Sequence, residues 1–130
     1  MDNVLVKPTR SIPPEATAVH HITNDMVINA PSFPNVLPQL LEVVRGKLLV
    51  VYNANYDIRL LIQSAKAHNI NFRLGIEART CAMLKYAEWV GDWNEEYQSF
   101  RWQKLQGGDH SALGDCYATL DVIKKMANSE

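Results

Sequence analysis

Apolar positions fall into four clear stretches along the chain, and their spacing predicts three helices and one strand. Val36, Leu37, Leu40, Leu41 and Val44 recur at helical spacing and stop before Gly46, so this stretch reads as a helix. Leu48-Leu49-Val50-Val51-Tyr52 is a continuous apolar run of strand length, the signature of a strand buried on both faces. Asn53-Ala54-Asn55 then turns the chain into a helix from Tyr56 to Ala67, with Ile58, Leu61, Ile62 and Ala65 as its apolar stripe and Asn55 as its N-cap. Leu113, Cys116, Tyr117, Leu120, Ile123 and Ala127 give a last helix, starting near Ser111, whose C-terminal end is favoured by Lys124 and Lys125.

Weaker patterns fill the gaps. Val4 to Val6 reads as a short strand that Lys7-Pro8 ends, because proline offers no ladder donor. Pro13 and Pro14 hold the next segment extended, and Glu15 to Met26 mixes short helical pattern with turn residues. Glu77 to Cys81 reads as a strand, with Thr80 capping a helix from Ala82 to Val90. Trp89, Trp93, Tyr97, Phe100 and Trp102 crowd one segment before Gly107-Gly108 breaks it. Core or interface packing is the preferred reading of these aromatics, with base stacking as the alternative.

Composition narrows the class. The chain has 130 residues and 47% hydrophobic content, which fits one domain, residues 1–130, with a packed core. No apolar run approaches the roughly 18 residues of a membrane span, and Cys81 and Cys116 lack metal or disulfide spacing. The expectation is a cytoplasmic protein with no membrane partner. A net charge of −1 excludes nucleic-acid binding by bulk electrostatics, so any such contact must be local, through groups such as Arg79, Arg101 and Lys104.

Chemistry concentrates in Asn53-Ala54-Asn55-Tyr56-Asp57 and His110-Ser111-Ala112-Leu113-Gly114-Asp115. Taken singly, Asp57 and Asp115 could merely complement helix dipoles, and His110 could be an exposed turn residue. Together and in this order they resemble the DEDDh, DnaQ-like 3'-to-5' exonucleases, whose Asn-Ala-x-x-Asp follows a buried strand and whose His-x-Ala-Leu-x-Asp opens the final helix. Ile12-Pro13 with His20-His21-Ile22-Thr23, and Thr80 ahead of a helix, match further segments of that family. The spacing is most similar to the exonuclease X type.

The resemblance implies an α/β, ribonuclease H-like fold, with a mixed sheet flanked by helices. It implies hydrolysis of DNA or RNA from 3' ends with two ions of Mg2+ or Mn2+. Asp57 and Asp115 would be metal ligands, His110 the general base, and Asn53, His21 and Tyr56 substrate contacts. An imidazole suits the base role because its ordinary pKa lies near working pH. On one continuous helix His110 and Asp115 would point about 140° apart, so His110 must sit on the preceding loop.

The family's first motif, Asp-x-Glu on its first strand, has no counterpart anywhere in this sequence. The first two strands, on the order of 20 residues, are expected to be absent. Two divalent ions bring four positive charges, whereas Asp57 and Asp115 bring two negative ones, so at best one weakly held ion is expected. Asp2, Glu15, Glu77 and Asp109 are the other acids to consider, and their spacing recommends none of them. The sequence is compatible with a truncated exonuclease, with one completed by another chain, and with a non-catalytic nucleic-acid-binding or protein-interaction remnant. An unrelated domain that mimics the motifs is the remaining alternative. Missing strands would leave the strand around Val50 with an open apolar edge, so a homo-oligomer or a partner chain is expected to cover it.

Overall fold

The computed structural model describes residues 3–70 and 79–128. Its element order is α1 (Pro14–His20), α2 (Asn24–Val27), α3 (Phe33–Val44), β1 (Leu49–Val51), α4 (Ala54–Ala67), β2 (Arg79–Cys81), α5 (Ala82–Val90), β3 (Trp93–Asn94), β4 (Ser99–Phe100) and α6 (Ala112–Ala127). The fold is mixed α/β, and among the described residues its strands divide between two small sheets. β1 and β2 pair in parallel, Leu49 opposite Arg79 and Val51 opposite Cys81, with α4 in the connection between them. β3 and β4 form an antiparallel hairpin.

The core sits where α3 meets α4. Phe33, Val36 and Leu37 pack against Ala65, which is fully buried, with Leu40, Leu61 and Ile70 at the margin. A second buried group joins α5 to α6: Met83, Tyr86 and Ala87 face Ala118 and Val122. Lys125 closes that seam, its Nζ donating to the Tyr86 hydroxyl at 3.3 Å while lying over the Trp89 ring. No helix among the described residues is long and apolar enough to cross a membrane.

Several sequence expectations shift. Among the described residues Val4–Val6 joins no ladder, and Lys7 alone of this stretch bridges, to Ser32. α4 starts at Ala54 behind an Asn53 cap that makes no side-chain bond, so Asn55 is inside the helix rather than its cap. Cys81, not Thr80, precedes α5. β1 is not buried on both faces: Val50 is 36% exposed and the adjoining Leu48 60%. α6 buries Ala118, Thr119 and Val122, while Cys116, Tyr117 and Leu120 of its expected apolar face stay exposed. The aromatic segment is only partly packed. Trp93 meets Phe100 edge-to-face at 5.0 Å, whereas Trp102 is 66% exposed.

Candidate active site

Two elements bring the carboxylates together. β1 delivers the chain through Tyr52 and Asn53 into α4, whose first turn carries Asp57, and α6 carries Asp115 in its own first turn. Asn53, Tyr56, Asp57, His110 and Asp115 all line one cleft of about 840 Å³ between the end of β1 and the start of α6. Partial burial raises the Asp57 carboxyl above its ordinary pKa, and the negative charge of Asp115 raises it further. Acids separated by more than fifty residues in sequence therefore share one electrostatic environment.

The loop before α6 is held by its own side chains. Ser111 caps the helix, its Oγ accepting from the Gly114 N–H at 3.0 Å. The Ser111 hydroxyl and N–H both donate to Asp109 Oδ1, at 2.6 and 3.0 Å. These hydrogen bonds hold the Asp109 carboxyl below its ordinary pKa. Asp115 reaches back so that its Oδ1 accepts from the His110 N–H at 3.2 Å. His110 thus sits on the loop at the cleft, as the helical-wheel argument requires, with φ of 65°. Asn53 and His21 also occupy the left-handed region, at 66° and 63°. Asn and His tolerate that region better than most residues, though it still costs about 1 kcal/mol.

Not every expected residue joins this cleft. His21 ends α1 and lines a neighbouring groove of about 700 Å³, together with Asp109 and Ser111. Asp109 is spent on the loop, and Glu15 lies in α1, outside the cleft lining. Asp2 and Glu77 lie outside the described residues, as does the Arg79 side chain. Arg101 is paired with Asp92 at 3.5 Å, while Lys104 reaches the cleft.

Sequence reasoning missed four contributors. A β-carbon at Gly108 would stand 2.7 Å from Asp115 Oδ1, and one at Gly114 would run into the Asp109 carboxylate, so glycine at both positions lets these carboxylates sit where a side chain would displace them. Tyr52 steadies the cleft wall by donating its hydroxyl to the Gln103 carbonyl. Cys81 Sγ accepts from the Ala54 N–H at 3.4 Å, which ties the start of α4 to β2. The glycine pair flanking an Asp-His turn was the one available signal.

Among the described residues, no three His, Cys, Asp or Glu side chains gather as a metal-ligand group. Asp57 and Asp115 supply two negative charges where two divalent ions would need about four. The described residues therefore do not fit a two-ion centre on their own.

The model of the RNase_T family, described as exonuclease, matches residues 3–123. The uncharacterized exonuclease CP81 of Escherichia phage 186 is 38% identical over 142 residues, an alignment covering 98% of this chain and 73% of that protein. DNA polymerase III subunit epsilon of Treponema pallidum is 37% identical over 59 residues, which span 45% of this chain and 27% of that subunit. Among solved structures, exonuclease X in complex with 5' overhanging duplex DNA superposes with a TM-score of 0.67 at 27% identity, covering 97% of this chain and 72% of that one.

Proposed function

The chain belongs to the RNase_T exonuclease family as a DnaQ-like, DEDDh-type member, and on that premise we propose that its cleft is the Asp57, Asp115 and His110 part of a 3'-to-5' exonuclease site. The observation that carries this reading is the convergence of those three residues, from two distant motifs, on one cleft. In this reading Asp57 and Asp115 are metal ligands, and His110 takes the proton of the attacking water at a ring nitrogen. Asn53 and Tyr56, at the same cleft, contact the nucleic acid, and His21 meets it from the neighbouring groove. The substrate is the 3' end of DNA or RNA. Magnesium or manganese is the cofactor, and further carboxylates must complete its centre before hydrolysis is efficient.

A second reading follows from the incomplete ligand group: a domain of this fold that binds nucleic acid or protein without cleaving. One assay separates the two. Labelled single strands with free or blocked 3' ends are incubated with the chain in manganese or in EDTA, beside Asp57→Ala. Metal-dependent shortening of only the free 3' end, lost in Asp57→Ala, supports the exonuclease reading. Retention of the strands without shortening, even with carboxylates supplied from outside, supports the binding reading. A cytoplasmic setting, and association of the open β1 edge with a further copy or a partner, belong to the same proposal.

A further inference from the structure

Trp89, Trp93, Tyr97 and Trp102 all keep a large exposed area, but they keep it in different company. Trp89 stacks on Tyr86 beneath Lys125 Nζ, and Trp93 meets Phe100 edge-to-face. Tyr97 lies in the turn between β3 and β4 beside Glu95 and Glu96, whose charges repel phosphate. Trp102 has no ring or cation partner among the described residues. Its main chain is nonetheless held on both sides. Arg101, before it, donates its N–H to the Asp92 carbonyl at 2.7 Å and pairs with the Asp92 carboxylate at 3.5 Å. Gln103, after it, accepts through its carbonyl from the Tyr52 hydroxyl. A ring 66% exposed thus stands on clamped backbone, and ordering it against a ligand restricts little beyond its two side-chain torsions.

The chain around this ring leads into the cleft. Residues 102–105 run without turn or bend, and their burial alternates: Trp102 and Lys104 are exposed, Gln103 and Leu105 half-buried. That is the period of extended chain, which puts Trp102 and Lys104 on one side, roughly 6.5 Å apart. Gln103, Lys104 and Leu105 all line the cleft of Asp57, His110 and Asp115, so Trp102 stands one residue outside it, at the rim. A flat π face beside a cation suits one ligand above others. An unpaired base stacks on the ring, and the adjoining phosphate meets the ammonium. Inside a duplex both faces of a base are already stacked, so the ring selects single strands. With a net charge of −1 the chain exerts no bulk attraction on such a strand, and local contacts must hold it. Resting on the exonuclease reading above, we propose that Trp102 is a base-stacking platform at the rim of the cleft, gripping an unpaired nucleotide of the strand whose 3' end enters it, with Lys104 on the adjoining phosphate. Tyr97, for all its exposure, takes no part.

The test measures binding of the full chain, in EDTA so that no strand is cut, to labelled oligothymidylates that are intact or carry one abasic nucleotide at successive positions. Fluorescence anisotropy compares the native chain with Trp102→Ala, Trp102→Phe and Tyr97→Ala. Trp102→Ala is expected to bind the intact strand at least ~5-fold more weakly, the loss of one base–aromatic stack. Trp102→Phe should restore most of that loss, and Tyr97→Ala should change nothing. One abasic position should weaken the native chain by the same factor and leave Trp102→Ala unaffected, the coupling that marks direct contact. Lys104→Ala should make the salt dependence of log affinity shallower by about 0.7. Equal binding by a folded Trp102→Ala, no rescue by Phe, or no coupled abasic position would overturn the proposal. So would a native chain that binds no strand but associates with itself through Trp102, since the ring would then be a protein contact. The underlying reading fails separately: strands held through Trp102 yet never shortened from a free 3' end in manganese support the platform and refute the exonuclease assignment. Digestion by a chain whose affinity ignores Trp102→Ala does the reverse.

Discussion

Replacing Gly108 with Ala separates the geometry of the cleft from the stability of the fold. The added β-carbon would lie 2.7 Å from Asp115 Oδ1, whereas ordinary contact begins at 3.4 Å, so the carboxylate must retreat by about 3.4 − 2.7 = 0.7 Å. Leu105, at 3.4 Å from the same point, need not move. The retreat stretches the 3.2 Å bond from the His110 N–H beyond useful length. That bond is exposed, and its loss costs about 0.5–1 kcal/mol. Restricting the unfolded chain with Ala returns about 0.4–1 kcal/mol. The two nearly cancel, and the thermal midpoint should move by less than about 4 °C. Metal binding has no such compensation, because a ligand displaced by most of an ångström holds its ion poorly. Manganese titration followed by electron paramagnetic resonance should show one weakly bound ion on the native chain and an affinity at least ~10-fold lower for Gly108→Ala, about 1.4 kcal/mol. Equal manganese affinity in a folded Gly108→Ala would refute Asp115 as a ligand, and a large drop in midpoint would refute the cancellation.

Burial first, and Asp115 second, hold the Asp57 carboxyl above its usual range, so the fold favours its protonated form. That contribution is complete below about pH 4, the unfolded value, and is lost as pH rises through the raised folded one. Asp57→Asn escapes the loss and should gain stability relative to the native chain from about pH 4 to neutrality; urea denaturation at stepped pH reads this, and a relative loss would contradict it. Ser111→Ala removes the α6 cap and should cost about 1 kcal/mol in the same denaturation experiment. Partial burial pushes the Cys81 thiol up, but main-chain N–H groups of Ala54, Leu84, Asn53 and Met83 outweigh it and hold the thiol below its ordinary value. In a Cys116→Ser background, Cys81 thiolate absorbance should therefore titrate at lower pH in the folded chain than in urea.

Element type was legible wherever periodicity ran long. α3 ends where the apolar repeat meets Arg45 and Gly46, and α6 begins behind Ser111 because a serine two residues before Leu113 is a ready cap. The caps of α4 and α5 were not legible. Asn53 and Cys81 act through main-chain conformation and a long-range contact to Ala54, neither of which sequence spacing encodes. Convergence of Asp57 with Asp115 came from the family resemblance of two motifs, and given that convergence their helical geometry required His110 to sit on its loop. Burial was misjudged at Val50 and Leu120 because a local apolar run tells that a side chain wants cover, not whether the described residues provide it. His21 lies at the end of α1, in the neighbouring groove beside Asp109 and Ser111, a placement that no spacing in the sequence encodes.

Anomalous scattering from crystals of the chain soaked in manganese tests the account at its centre. The account predicts manganese density bound by the carboxylates of Asp57 and Asp115 in the cleft, with the His110 ring at the same cleft, and no such density in Asp57→Asn. Ordered manganese held elsewhere, with Asp57 and Asp115 making no contact to it, would contradict the site and the exonuclease reading built on it.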